Sequence, residues 1–340
     1  MIDALKLWLH GFPRVGVTKD WAVRAESHGF AGVLLADSET LVADPYVELA
    51  IASTATRNLE LGVAVTNPIT RHPAVTAAAI ASVHAECGGR GVLGIGRGDS
   101  ALRQLHLQPA SVSVLQQAIV DLRRFLGGDE TYRGGARSTV APLSWLPPGL
   151  SHVPVDVAAT GPKVIATGAV YADRLTFNLG ADVDRLKWAI AHARHARSDA
   201  GLDPSAMSLG AYVDVACAPV AAATAMVRGS ASIFANLLAE GMRAGVPVSD
   251  QDASVLRAVG GAYDANQHGQ SGAVQAQLLS DDFLTRFALC GTPAMILDRV
   301  LELRELGLDR LVIVPASRDI DDATTEASVA AFARGVLSRL

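Results

Sequence analysis

A glycine-rich segment that ends in a carboxylate is the first place in this sequence where chemistry can be expected. It spans residues 94–100, reads GIGRGDS and follows a short apolar run. Its three glycines let the backbone approach a flat ligand closely, and Asp99 can act there as an anion or as a proton donor. The segment also suits a tight turn in which Asp99 or Ser100 caps a helix. Taken alone, it leaves both interpretations open.

A second candidate segment is Thr160-Gly161-Pro162-Lys163, which directly follows an apolar run and precedes a predicted helix. Free backbone N–H groups and the positive end of the helix dipole meet at such a start, and together they form a cradle for phosphate. Lys163 adds a mobile positive charge, in a chain that has only four lysines. The alternative is an ordinary proline at a helix start beside a solvated lysine.

Other polar residues follow the remaining apolar runs. Asp37 and Ser38 end the second run, where a carboxylate can orient a ligand or cap the next loop. Thr66 and Asn67 end the third run, where they can bind a ligand by hydrogen bonds or simply begin a turn. His10 ends the first run and either faces the same site or has a structural role. All these positions lie at strand ends.

The remaining histidines and the cysteines do not predict a metal site. His192 and His195 lie three residues apart on a predicted helix, but arginines flank them and no third ligand is evident. We therefore interpret that helix face as solvated. Cys87, Cys217 and Cys290 are far apart and form no CxxC motif, which indicates a reducing compartment and no cysteine zinc site. No Walker loop, HExxH motif or Rossmann fingerprint is present.

Short apolar runs alternate with helical stretches along the whole chain, and this pattern predicts an α/β fold. Eight strands suit a closed (β/α)8 TIM barrel, with a doubly wound open sheet as the alternative. We expect one domain over residues 1–340, with a helical insertion at about 220–287 and an excursion with a small hairpin at 127–148. The predicted strands cover residues 5–9, 31–35, 59–66, 92–95, 153–158, 174–177, 207–216 and 311–314.

Composition excludes several classes of protein. The 340 residues are 50% hydrophobic and 19% charged, so a large core is available and extensive disorder is excluded. The net charge is −5 and no basic block stands out, which argues against nucleic acid as a partner. No apolar run reaches the ~20 residues that span a bilayer, and no signal peptide is evident. We expect a cytoplasmic protein that acts on a small molecule.

Three stretches of this sequence resemble one known family. Residues 61–102, which read LGVAVTNPITRHPAVTAAAIASVHAECGGRGVLGIGRGDSAL, resemble the luciferase-like flavin and deazaflavin superfamily, and most closely its branch that uses coenzyme F420. Residues 153–180 and 290–315 resemble the same family's strand-five region and C-terminal unit. The segment GIGRGDSAL is similar to methylenetetrahydromethanopterin reductases. The resemblance implies a (β/α)8 barrel with insertions, in agreement with the strand count.

The resemblance also implies how the site residues act. It places a non-proline cis peptide at Ala64–Val65 against the deazaflavin ring, a ring contact at Asn67 and a phosphate contact at 160–162. It assigns Asp37 as a cofactor-contacting acid and Asp99 as the acid of the strand-four loop. With His10, these two carboxylates are the candidate catalytic residues. The candidate cofactor-binding residues are Asp37, Ser38, Ala64, Val65, Thr66, Asn67, Gly96, Arg97, Gly98, Thr160, Gly161, Pro162 and Lys163.

One departure from the family pattern bears on the reaction. In the F420-dependent sugar-phosphate and alcohol dehydrogenases a histidine base follows the strand-two acid, whereas this chain has Ser38. Serine is a poor base without an activating partner, so a reductase that uses reduced F420 and reduces a C=N or C=C bond is favoured. The alternatives are an FMN-dependent monooxygenase and a non-catalytic cofactor-binding paralogue. Family members are often dimers, and the predicted helix at 73–87 offers an apolar face for one.

Overall fold

The computed structural model describes residues 5–127 and 138–340. Nine parallel β-strands occur in these residues. Their apolar side chains are buried, as expected for parallel strands that are covered on both faces. The strands are β1 (Lys6–Gly11), β2 (Gly32–Leu35), β3 (Glu60–Thr66), β4 (Gly91–Ile95), β5 (Val155–Ala159), β6 (Arg174–Phe177), β7 (Ser208–Cys217), β8 (Leu289–Gly291) and β9 (Arg310–Val314).

Eight of these strands close into a barrel. The hydrogen-bonded order runs from β6 through β5, β4, β3, β2, β1 and β9 to β7, and β7 pairs back onto β6. The predicted (β/α)8 TIM barrel is therefore confirmed and the open sheet is wrong. Among the described strands, the short β8 pairs only with Val215–Cys217, at the end of β7. It was not predicted, because three residues beside a helix show no strand periodicity.

Thirteen α-helices surround the barrel or extend over its end in the described residues. Proline begins four of them, at the position where its missing N–H costs nothing. The helices are α1 (Thr18–Ser27), α2 (Pro45–Ser53), α3 (Pro73–Glu86), α4 (Ser100–Gln104), α5 (Val112–Phe125), α6 (Pro162–Tyr171), α7 (Val183–Asp199), α8 (Val220–Arg243), α9 (Asp250–Gly261), α10 (Val274–Gln277), α11 (Asp281–Phe287), α12 (Pro293–Arg304) and α13 (Asp322–Gly335).

Helices α8 to α11 occupy the stretch predicted as an insertion at about 220–287. α8 packs against β7 and carries the other insertion helices. The excursion predicted at 127–148 includes residues 128–137, which lie outside the described residues, and the described residues 138–148 contain no strand of the predicted hairpin. Across 5–127 and 138–340, no helix combines the length and apolarity needed to cross a bilayer.

The apolar core has two parts. The larger part lies between the barrel and the surrounding helices. The smaller part fills the barrel interior and lies directly below the end of the barrel at which the strands terminate. Its members are Trp8, Leu34, Ala64, Val92, Ala158, Tyr212, Val312 and Val314.

A bulge in β3 shapes that open end. The register between β3 and β4 shifts between Val63 and Thr66, and the peptide bond between Ala64 and Val65 is cis, as the family resemblance implies. Gly94 faces the bulge from β4. A Cβ atom at this glycine would lie 2.1 Å from the Val63 carbonyl oxygen, so a side chain there would force the two strands apart.

Candidate active site

A cavity of about 1140 Å³ opens at the C-terminal ends of the barrel strands. This is the end at which TIM-barrel enzymes place their active sites. One side is built from the strand ends and the start of α6, which we call the floor. The other side is the face of α8 from Ser230 to Ala244, which we call the roof.

The structure brings most of the predicted site residues to this one cavity. The thirteen that line it are His10, Asp37, Ala64, Val65, Asn67, Gly96, Arg97, Gly98, Asp99, Thr160, Gly161, Pro162 and Lys163.

Two predicted residues do not line the cavity. The Ser38 hydroxyl is buried and lies 3.4 Å from the Ser100 hydroxyl. Thr66 is fully buried, because successive side chains of a strand point to opposite faces and its neighbour Val65 takes the cavity face. These two residues lie behind the residues that line the cavity, and their predicted ligand contacts stay predictions.

The start of α6 has the geometry of an anion cradle. Gly161 is the N-cap residue and no side chain caps the helix. Pro162 has no N–H and the Val164 N–H donates to the Gly161 carbonyl oxygen at 3.1 Å, so the N–H groups of Gly161 and Lys163 are the ones that remain for an anion. A Cβ atom at Gly161 would meet only the Ala244 Cβ atom, at 3.8 Å, and the approach is therefore open. Lys163 is exposed at the cavity edge, and His192 supports the cradle from behind, with Nε2 3.2 Å from the Pro162 carbonyl oxygen.

His10 contacts the bulge directly. Its Nε2 lies 3.2 Å from the Ala64 carbonyl oxygen. Burial lowers the pKa of the imidazole to about 4, so the ring is neutral near pH 7 and its Nε2–H donates to that carbonyl. His10 therefore holds the Ala64 carbonyl in place, and it is poorly suited to act as an imidazolium acid.

Asp37 is buried without a partner. Both of its carboxyl oxygens lack a hydrogen-bond partner among the described residues, as do the hydroxyls of Tyr46 and Thr66. Burial is the largest cause that raises the pKa of Asp37 to about 6, while the nearby Thr66 hydroxyl opposes the shift. A buried carboxyl group without partners is costly, and a ligand that brings hydrogen-bond donors would satisfy it.

Asp99 is held in an ion pair. Its Oδ1 lies 2.5 Å from Nε of Arg103, and the same guanidinium lies 2.9 Å from the Glu240 carboxylate on the roof. Arg97, the sequence neighbour, donates instead to the Ala110 carbonyl oxygen at 2.6 Å. The carboxylate thus connects floor and roof through Oδ1, while its Oδ2 is buried without a hydrogen-bond partner among the described residues.

The two polar atoms of the Asn67 side chain have different roles. The amide oxygen accepts from the backbone N–H groups of Ile69 and Thr70, at 3.0 Å each, and so builds the turn after β3. This leaves the amide nitrogen as the donor available to a ligand at the cavity wall. The turn interpretation and the ligand interpretation of this residue are therefore compatible.

Sequence reasoning missed the roof and two residues near it. Ile233, Phe234 and Leu237 line the cavity from α8, and Tyr212 lines it from β7. The alternation of side chains along β7 could have indicated that Tyr212 faces the barrel interior. α8 is apolar around most of its circumference, so its sequence did not indicate which face meets the cavity. His268 was also missed; it lines the cavity with Nδ1 2.7 Å from the Tyr263 hydroxyl oxygen.

The site fits a phosphate-bearing flat cofactor better than a metal ion. Asp37 offers an orphaned buried carboxyl group, the α6 start offers an open anion cradle, and the bulge offers a flat surface in the same cavity. Within the parts of the chain that the structure describes, no group of three or more His, Cys, Asp or Glu side chains is arranged to hold a metal. His195 pairs instead with Asp199, at 3.4 Å.

Known proteins resemble this chain over most of its length. A 5,10-methylenetetrahydromethanopterin reductase from Methanolobus tindarius is 27% identical over 309 residues, which are 86% of this chain and 88% of that protein. The solved coenzyme F420-dependent tetrahydromethanopterin reductase from Methanopyrus kandleri superposes with a TM-score of 0.75 at 18% identity, covering 98% of this chain and 99% of that one.

A second solved structure shares the fold. It is an F420-dependent secondary alcohol dehydrogenase in complex with an F420-acetone adduct, with a TM-score of 0.71, 19% identity and 98% of each chain covered. The family model described as luciferase-like monooxygenase matches residues 7–310. This match runs from β1 to the first residue of β9 and includes both the start of α6 and the roof. The chain therefore belongs to the luciferase-like monooxygenase family.

Proposed function

We propose that this protein is a coenzyme F420-dependent oxidoreductase, and specifically a reductase that acts on a C=N or C=C bond of a small organic molecule. One observation carries the proposal: the α6 cradle and the β3 bulge line the same cavity. Similarity to methylenetetrahydromethanopterin reductases over 86% of the chain supports it.

The floor residues have distinct binding roles in this proposal. Gly161 and Lys163 bind the phosphate through backbone N–H groups and a charge. Ala64 and Val65 form the surface under the ring, and Asn67 donates from its amide nitrogen. When bound, reduced F420 supplies a hydride from its deazaflavin ring. His10 keeps the Ala64 carbonyl oriented by its hydrogen bond.

Reduction of a C=N or C=C bond also needs a proton. Asp37 is the better acid of the two candidate carboxyl groups, because burial raises its pKa to about 6 and about a tenth of it stays protonated at pH 7. Asp99 is engaged by Arg103, so its role is to hold the strand-four loop against the roof. Proton donation by Asp37 and positioning by Asp99 are parts of the proposal.

The position of Ser38 supports the reductive direction. Its hydroxyl is buried against Ser100 and does not line the cavity. A base for alcohol oxidation is therefore missing at this position, and neutral His10 already donates to Ala64. A homodimer and a cytoplasmic location stay predictions.

The direct test is anaerobic mixing of the protein with reduced F420 and a panel of neutral enones and imines. We expect the absorbance of oxidised F420 to appear with at least one acceptor. We expect Asp37→Asn to slow this appearance by about 100-fold, the usual scale for loss of a general acid. Failure of every acceptor in the panel to oxidise reduced F420, or undiminished turnover of Asp37→Asn with an acceptor that does react, would contradict the proposed chemistry.

An FMN-dependent monooxygenase is the second candidate, because the family that matches the chain is described by that activity. FMN also carries a phosphate for the α6 cradle. In that case reduced FMN, supplied by a partner reductase, and oxygen would give an oxygenated product. Reduced F420 would then stay unreacted in the same anaerobic mixture, which separates the two candidates.

A further inference from the structure

The partly exposed residues in the middle of α8 are all apolar. From Gly229 to Ala239 every residue is buried except Ile233, Phe234 and Leu237, which are partly exposed. All three line the cavity. Positions 233 and 237 are one helical turn apart and 234 is adjacent, so they form one patch on the roof.

This apolar patch continues into the barrel. The Phe234 ring stacks on Tyr212 with centroids 6.1 Å apart and planes at 25°. Phe234 and Val65 both pack against the interior cluster that contains Val314. Roof and barrel interior therefore enclose one apolar section of the cavity, beside the bulge of the floor.

The charged groups belong to other parts of the cavity. α8 reaches the phosphate cradle with its last turns, since a Cβ atom at Gly241 would lie 3.0 Å from Thr160 Cγ2. Arg103 and Glu240 pair with each other. The Ser230 hydroxyl, next to the apolar patch, donates to the Val227 carbonyl oxygen at 3.0 Å.

His268 adds no charge to this wall. Burial lowers the pKa of its imidazole to about 4, and its Nδ1 contacts the Tyr263 hydroxyl. A charged substrate group placed against Ile233, Phe234 and Leu237 would lose its hydration without gaining a partner. An apolar group placed there would cover exposed apolar surface.

We propose that the apolar section formed by Ile233, Phe234, Leu237 and Tyr212 is the substrate subsite, and that it takes an uncharged, largely apolar acceptor that carries a ring. This inference rests on the proposed function, in which the cradle and the bulge hold the cofactor. The acceptor class it names is a neutral cyclic or aryl-substituted enone or imine.

Two fluorescent probes of the same skeleton test the subsite without turnover. N-phenylnaphthylamine is neutral, and anilinonaphthalenesulfonate is its anionic counterpart. We titrate each into the full-length protein, with and without F420. We expect the neutral probe to bind at one site at least about tenfold more tightly than the anion, the scale of a charge left partly unpaired in an apolar site.

Variants locate the binding. Leu237→Asn should weaken the neutral probe about tenfold, which corresponds to the loss of one buried leucine contact. The matched control Leu278→Asn changes a leucine that is 40% exposed outside the cavity, and it should leave binding within about twofold. Ile233→Asn repeats the test if Leu237→Asn fails to fold, as judged by its thermal transition.

Equal affinity for the two probes, or unchanged binding in both cavity variants, would overturn the subsite. F420 titration of the wild-type protein is a separate readout. If the neutral probe is preferred but F420 does not bind, the apolar subsite stands and the proposed function fails. If F420 binds but the probe preference is absent, the subsite alone fails.

Discussion

The floor and the roof of the cavity differ in how they are built. The floor consists of strand ends and one helix start, whose backbone positions are set by the barrel itself. The roof is a face of one 24-residue helix from the insertion. Polar groups and glycines dominate the floor, whereas Ile233, Phe234 and Leu237 form the central part of the roof. In the proposed function, cofactor binding therefore depends on the barrel and substrate choice on the insertion.

The two carboxyl groups of the floor differ in how they are paired. Asp37 on the floor is a buried carboxyl group that lacks a partner among the described residues. Asp99, also on the floor, reaches the roof through Arg103 and Glu240. Both oxygens of Asp37 are therefore left for a ligand, whereas Asp99 uses Oδ1 to join the two sides of the cavity and leaves only Oδ2 unpartnered among the described residues.

The largest expected effect comes from a charge placed in the cradle. Gly161 has φ −87° and open space around a Cβ atom, so Gly161→Asp should fold and should cap α6 well. Its carboxylate would repel the cofactor phosphate. We expect F420 affinity to fall about 100-fold, or about 2.7 kcal/mol, as measured by fluorescence titration.

Gly161→Asn is the matched control, since it has the same shape and capping ability without the charge. Its F420 affinity should stay within about fivefold of wild type, a change of about 1 kcal/mol. Equal losses in the Asp and Asn variants would mean that bulk and not charge matters at this position, and the assignment of the cradle to phosphate would be lost.

A second prediction concerns stability and the Asp37 carboxyl group. Its pKa in the folded protein, about 6, lies above the ordinary value of 3.8. The folded state therefore holds this proton more tightly than the unfolded chain does, and stability falls as pH rises through this window. Asp37→Asn should remove that loss. Relative to wild type, its free energy of unfolding should be about 2 kcal/mol more favourable at pH 8 than at pH 4.

Chemical denaturation at the two pH values measures the difference. Asp184→Asn is the control, because that carboxyl side chain is 96% exposed, and it should show no pH-dependent gain. An Asp37→Asn variant whose stability follows the wild-type pH dependence would contradict the burial of an unpaired carboxyl group on the floor.

A smaller effect is expected where floor and roof are joined. Arg103→Met keeps the aliphatic stem but removes the charge between Asp99 and Glu240. The arginine side chain is 38% exposed, so we expect a loss of about 1 kcal/mol at low salt that shrinks at high salt. Arg304→Met, which removes a pair with the adjacent Glu305, is the control. A loss of stability that is the same at low and high salt would contradict an ion-pair connection between floor and roof.

The sequence predicted the floor well because strand ends are readable from the sequence. Once eight strands were assigned, topology alone placed Asp37, Asn67 and Gly161 at one end of the barrel. Whether neighbouring residues face the cavity was harder, because it depends on the bulge: Val65 faces the cavity and Thr66 does not. The family resemblance, not the periodicity, predicted the cis bond at Ala64–Val65.

The roof and its connections could not be read in the same way. α4 is a five-residue helix with no periodic signal, yet it brings Arg103 to Asp99 in place of the neighbouring Arg97. α8 is buried on most of its sides, so hydrophobicity does not distinguish its cavity face from its core faces. These contacts depend on how the insertion packs over the barrel, which is a long-range property.

Competitive calorimetry with F420 and FMN on the wild-type protein tests the central claim most directly. The account predicts saturable heat with F420, its abolition in Gly161→Asp, and weaker or no binding of FMN. Tight binding of FMN with no heat from F420 would contradict it.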